Sequence, residues 1–216
     1  FGLSIYFNKM VNVWRLGLMS YDTALKVQTA LARKHLEAMM KGQDSNYDTL
    51  LIVEHKPIYT VGIRDETQGQ EVLRLKSLGA EFRKTNRGGV FAERSKHTGV
   101  WVNESKIAAI GIHASRYVTT HGISLNCNND LSWFDHIDPC GIEDKGVTSL
   151  TRETGRECSV DKMTPLFLKT FCNVFDCKTK ELEVNVQEEI LNSIYSQLLT
   201  EPEHAEKPAE TKVSQQ

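Results

Sequence analysis

Apolar side chains recur at helical spacing between Tyr21 and Lys41, at Ala24, Leu25, Leu31, Leu36 and Met39, and Gly42 follows as a stop. Thr49 to Val53 is a short apolar run closed by Glu54-His55-Lys56-Pro57, which predicts a buried strand. A second strand is predicted at Ile58 to Val61, and a short helix at Val72 to Leu78. Gly99 to Val102, then Asn103-Glu104-Ser105, then Lys106 to Ile112 has the form of a β-hairpin, and Tyr117 to Leu125 continues as a strand. Asp130 to His136 predicts one helical turn, and Pro139-Cys140-Gly141 a tight turn. Met163, Phe167, Phe171 and Phe175 recur every four residues, as do Val186, Ile190, Ile194 and Leu198, which marks two closing helices. Consecutive strands with helices before and after favour an α+β fold over a βαβ repeat.

Composition narrows the function. The 216 residues are 40% hydrophobic and 25% charged, as in an ordinary globular chain able to bury a sizeable core. Lys plus Arg number 26 against 28 Asp plus Glu, so no basic excess offers itself to a nucleic-acid backbone. No apolar run reaches the roughly 20 residues that cross a bilayer, so no membrane partner is expected. The five cysteines are an odd number without C-x-x-C spacing, which reads as reduced thiols in an intracellular setting. The seven histidines show no metal-ligand spacing, so no metal and no cofactor is assigned. The opening residues carry neither a secretory pattern nor the arginines of a transit peptide; either the start lies upstream or Met10 is the initiator. Residues 201–216 are too polar to offset their ordering entropy, which predicts a disordered tail.

Chemistry concentrates on one thiol. A free cysteine is more often an inert core residue than a nucleophile. Cys140, however, sits between Pro139 and Gly141 on a turn, with His136, Asp138 and Lys145 nearby instead of apolar neighbours. Nucleophilic attack needs the thiolate, and a neighbouring cation favours that form. Lys106 is the candidate cation. It opens an apolar strand whose pleat is expected to set Ala108 and Ile110 on its own face. A lysine in that position is usually a solvated end-cap. Arg87-Gly88-Gly89 could bring backbone close to a substrate, although Gly-Gly is more often a plain turn. Cys127, Cys158, Cys172 and Cys177 read as core or surface thiols.

An ordered set of motifs then carries a resemblance: Glu54 to Arg64, Arg87-Gly88-Gly89, Gly99 to Val102, Lys106 to Ile112, His121 to Asn126, Asp138 to Ile142, and Val147 to Leu150. The string, spanning about Trp14 to Phe175, resembles the octanoyltransferases of lipoate synthesis. The run from Asn126 through Trp133-Phe134 to Cys140 is most similar to the animal, mitochondrial members. The resemblance implies the fold of the biotin/lipoate protein ligase catalytic domain, over residues 11–185; the periodic segment beyond it is the C-terminal helix at 186–200. It implies acyl transfer from octanoyl-acyl carrier protein to a lysine of lipoyl domains, in the glycine-cleavage H protein or the acyltransferase subunits of 2-oxoacid dehydrogenases. Cys140 would take the acyl group as a thioester and Lys106 would be its partner. Substrate contacts would fall on Arg87, Gly88 and Gly89, on Ala109, Ile110 and Gly111, and on Gly122, Ile123 and Ser124. An ATP-dependent lipoate or biotin ligase of the same fold would need no acyl-cysteine, so Pro139-Cys140-Gly141 favours the transferase.

The chain departs from that family at one place. After Arg-Gly-Gly the family continues with a strand bearing His-Gly-Pro-Gly-Gln and then a helix. Here Gly89 is followed by Val90 to His97 and at once by Gly99-Val100-Trp101. One strand-helix segment of several tens of residues is missing, with one wall of the acyl slot and a substrate-contacting histidine. The expectation is an ordinary octanoyltransferase altered by splicing or gene assembly, poorly folded or weakly active. A non-catalytic binder of acyl carrier or lipoyl domains is the alternative.

Overall fold

The computed structural model describes residues 9–43, 48–61, 69–85, 88–89, 98–137 and 146–200. The chain begins with strand β1 (Lys9–Met19), helix α1 (Tyr21–Met40) and strand β2 (Thr49–His55). Ser20 caps α1, its side chain accepting from the Thr23 amide. β1 lies between β2 and a late strand, β10 (Cys177–Glu181), and pairs parallel to both. A bulge at Leu16, where Arg15 pairs with Ile52 and Gly17 with Val53, is made possible by Gly17 at φ +65°.

Strand β3 (Ile58–Val61), helix α2 (Gly69–Ser77) and strand β4 (Glu81–Lys84) form a second unit, with β3 and β4 parallel. The third sheet gathers β5 (Gly88–Gly89), β6 (Val100–Val102), β7 (Ser105–Ser115), β8 (Val118–Leu125) and β9 (Gly146–Val147) around β7. A 3-10 turn (Leu131–His136), α3 (Leu150–Thr154), α4 (Val160–Phe175) and α5 (Val184–Thr200) complete the order.

Trp14, Val27, Leu31, Leu182, Ile190 and Ile194 form one buried cluster, so α5 packs in the same core as β1 and α1. Tyr59, Leu75 and Ala80 form another, joined by Phe82, Trp133 and Ile137. Along α4 the rings of Phe171 and Phe175 stand 4.6 Å apart, yet Leu166, Val174 and Phe175 stay more than half exposed.

The α+β class holds: β5, β6 and β8 pair antiparallel with β7, β9 joins the same sheet parallel, and the other strands pair parallel in separate sheets. One detail of the expectation is corrected: β1-α1-β2 and β3-α2-β4 are both parallel crossovers. They escaped the hydrophobic pattern because β1 and β4 were not legible as strands. Three of the four β4 residues are charged, and the β1 alternation is broken at its bulge. The expected tail at 201–216 and the turn at Cys140 lie outside the described residues.

Candidate active site

Strands β6 and β7 turn on Asn103-Glu104, with Asn103 at φ +51°, the kind of residue that tolerates the left-handed region. Lys106 stands at the second position of β7 and is only 4% exposed. It is no solvated end-cap: lysines are almost never this buried without partners. Its Nζ lies 4.9 Å from the centroid of the Trp101 ring, within cation–π range. Its stem runs against Gly99, where an added Cβ would lie 3.4 Å from Lys106 Cδ and Cε and 2.6 Å from the Ala108 carbonyl oxygen. Gly99 also sits at φ +113°, so only glycine is at ease there.

Pairing around Lys106 is irregular in an informative way. Val100 pairs with Ala108 but Trp101 with Lys106, so Ile107 is an extra residue on β7. Lys106, Ile107 and Ala108 are consequently all buried, and the regular pleat expected to put Lys106, Ala108 and Ile110 on one face is interrupted.

On its other edge Lys106 pairs with Val147 of β9, and its carbonyl accepts from the Thr148 amide at 3.0 Å. Asn126, the residue after β8, binds this junction. Its amide donates to the Ile107 carbonyl at 2.9 Å, its side-chain Nδ2 to the Thr148 carbonyl at 3.0 Å, and its carbonyl accepts from Leu150.

The residues expected to meet substrate also gather on this sheet. Ala109 pairs with Ser124, Ile110 with Ile123 and Gly111 with Gly122. Gly88 pairs with Ile112 and Gly89 with Gly111. Gly89, Gly111 and Gly122 therefore form a row without side chains across three neighbouring strands. At a rise of about 3.3 Å per residue, Ala109 to Gly111 lie roughly 10–17 Å along β7 from Lys106. Ala109, Gly122 and Ser124 are exposed, and Ile123 is 47% exposed. Arg87 and Cys140 lie outside the described residues.

The remaining thiols behave as ordinary core groups. Cys127, Cys158 and Cys177 are buried and Cys172 half-buried, all unbridged. Burial pushes the Cys127 and Cys177 thiols above the usual range, which favours the unreactive form. Gly99 and Trp101 are the neighbours of Lys106 that sequence reasoning did not single out, although both stand in a quoted motif. The signal was their position across a two-residue turn from the lysine.

Residues 86–172 match the family model of the lipoyl protein ligase A/B catalytic domain. Three curated relatives bear the same name, octanoyl-[acyl-carrier-protein]:protein N-octanoyltransferase LIPT2, mitochondrial. The Danio rerio protein is 39% identical, covering 77% of this chain and 93% of its own. The Xenopus tropicalis protein is 38% identical, covering 75% and 86%. The Homo sapiens protein is 32% identical, covering 77% and 94%. The Danio alignment runs over 213 positions, whereas 77% of 216 residues is about 166, so some 47 aligned positions have no residue here. That shortfall agrees in size with the strand-helix segment expected to be missing. With identity of 32–39% across most of each relative, the chain belongs to the octanoyl-[acyl-carrier-protein]:protein N-octanoyltransferase family, a family of acyltransferases.

Proposed function

We propose that this chain moves an octanoyl group from acyl carrier protein to a lysine of a lipoyl domain through a thioester on Cys140, with Lys106 as its proton partner. In the first half-reaction Lys106 accepts the thiol proton and the Cys140 thiolate attacks the thioester carbonyl. The bond from acyl carbon to pantetheine sulfur breaks, and the departing thiolate takes the proton back from Lys106. In the second, the lipoyl-domain amine attacks the acyl-cysteine, an amide forms, and the Cys140 sulfur leaves. Lys106 accepts the proton released by the nitrogen. The first exchange is nearly balanced, thioester for thioester; the second runs downhill to an amide. An amine with a reference pKa near 10.4 must shed a proton to attack, so a base beside the thioester helps it.

The observation that carries this reading is the burial of Lys106 where β9 joins β7. Six residues of chain, a reach of at most about 20 Å, separate Cys140 from Gly146, which pairs with Ser105 beside Lys106. The row of glycines and the Ile110–Ile123 pair supply a backbone-lined, apolar path for an acyl chain. Six buried methylenes at about 0.8 kcal/mol each would contribute roughly 5 kcal/mol to octanoyl selection. The animal relatives are named as mitochondrial, and the same compartment is assigned here. Acceptors of the glycine-cleavage H protein and 2-oxoacid dehydrogenase type fit the same chemistry.

The test is intact mass after incubation with octanoyl-acyl carrier protein. The reading predicts a hydroxylamine-labile octanoyl adduct that is absent from Cys140→Ala. A second reading has one observation in its favour: Ala109, Gly122, Ile123 and Ser124 are open to solvent in a chain short of some 47 family positions. A binder of acyl carrier or lipoyl domains without chemistry would retain the complex and form no adduct.

A further inference from the structure

We propose that Trp101 is the positioning residue for the Lys106 amine, its indole face holding the head group while Gly99 gives the stem its passage; the inference rests on Lys106 serving Cys140 in acyl transfer. Strand register supports the assignment. Continued regularly from the Val100–Ala108 pair, β6 would set Trp101 opposite Ile107. The extra residue in β7 moves Trp101 opposite Lys106 instead. A bulge of this kind re-aims a side chain, and here it brings an aromatic face to a buried lysine, Nζ 4.9 Å from the ring centroid.

The stem is constrained as well. At Gly99 a methyl group would meet the Ala108 carbonyl at 2.6 Å and the lysine's Cδ and Cε at 3.4 Å. Backbone at Gly99 and ring at Trp101 thus define one channel for four methylenes and one place for the nitrogen. The negative face of an indole favours an ammonium group, and most strongly where water is excluded. Such a seat keeps the amine available as a cation beside a forming thiolate. Trp101 itself touches neither the acyl group nor the thiol and acts through the Lys106 amine.

Two readouts test it on the whole chain. In protein labelled with 13Cε-lysine, the Lys106 ε-methylene signals, assigned through Lys106→Arg, should be shifted upfield by the indole ring current. Trp101→Leu should abolish that shift and Trp101→Phe should keep part of it. With octanoyl-acyl carrier protein, Trp101→Leu should form the adduct about 2- to 30-fold more slowly than the unaltered chain, and Trp101→Phe should recover much of the loss. Ordinary lysine shifts in the unaltered chain overturn the inference, whatever the activity. An upfield signal with an unchanged rate in Trp101→Leu overturns the positioning role. An upfield signal with no adduct from the unaltered chain removes the acyl-transfer reading, and the role with it. Should Trp101→Leu fail to fold, the graded comparison with Trp101→Phe and Trp101→Tyr supplies the same contrasts.

Discussion

The carbonyl of Lys106 accepts a hydrogen bond from the amide of Thr148 at 3.0 Å, which ties the strand entered after Cys140 to the residue proposed to serve it. Asn126, just past β8, clamps the same junction through Nδ2 to the Thr148 carbonyl. Asn126→Ala leaves that carbonyl without the clamp, at a cost of about 1–3 kcal/mol. Each kcal/mol moves the melting temperature of a chain this size by about 2–4 °C. Calorimetry should therefore show a fall of several degrees, and adduct formation should slow. An unchanged melting temperature would deny the clamp.

Two glycines separate folding from binding. Gly99→Ala places a side chain at φ +113° and against the Ala108 carbonyl. Strain of this kind costs of order 1–3 kcal/mol, and the contact adds to it. At Gly122 an added Cβ meets nothing within 4 Å. Gly122→Ala should leave stability within about 0.5 kcal/mol yet slow octanoyl uptake, because the methyl group stands in the proposed acyl path. Denaturant midpoints and adduct rates for the two variants check this; equal effects on both measures would deny the division.

Much of this arrangement was legible in the sequence, and what was not has physical causes. The β6–β7 hairpin and α1 follow from the polar Asn103-Glu104-Ser105 between two apolar runs and from helical spacing stopped at Gly42. Ala109 to Gly111 and Gly122 to Ser124 were expected to serve one substrate, and strand pairing does set them side by side. The burial of Lys106 was not legible, because it is made by residues on other strands: Gly99 and Trp101 on one edge, Val147 on the other. A bulge leaves no mark in the apolar pattern. The parallel crossovers were missed because Glu81, Arg83 and Lys84 give β4 the look of a loop, while its place beside β3 is set by packing of Phe82, Leu75 and Tyr59.

Thiol reactivity offers a sharp contrast. Burial pushes Cys127 and Cys177 towards the protonated form, so both should resist alkylation at neutral pH. Limiting iodoacetamide followed by peptide mapping should label Cys140 ahead of them. Labelling of Cys127 first would contradict the assignment of the nucleophile.

An ion pair between α1 and β4 should make a small contribution to acid stability. Arg83 donates Nε to Asp22 Oδ1 at 2.7 Å, and its hydrogen bond holds the Asp22 carboxyl below the usual carboxylate range. A depressed folded-state value means that the contribution is complete above the ordinary range, near pH 4, and is lost as pH falls through the folded value. Both side chains are more than 40% exposed, so solvent screening limits the effect to about 0–1 kcal/mol. Urea midpoints of Asp22→Asn and the unaltered chain should differ slightly at pH 7 and converge below about pH 3. A difference that widens in acid would reverse the sign and refute the pairing.

The partnership of Cys140 with Lys106 is tested most directly by the rate of Cys140 alkylation at pH 7 in the unaltered chain and in Lys106→Met, which keeps a stem against Gly99 and removes the charge. A neighbouring cation that favours the thiolate by one pK unit changes that rate about tenfold. The account predicts alkylation slower by about that factor in Lys106→Met; equal rates in the two proteins would contradict it.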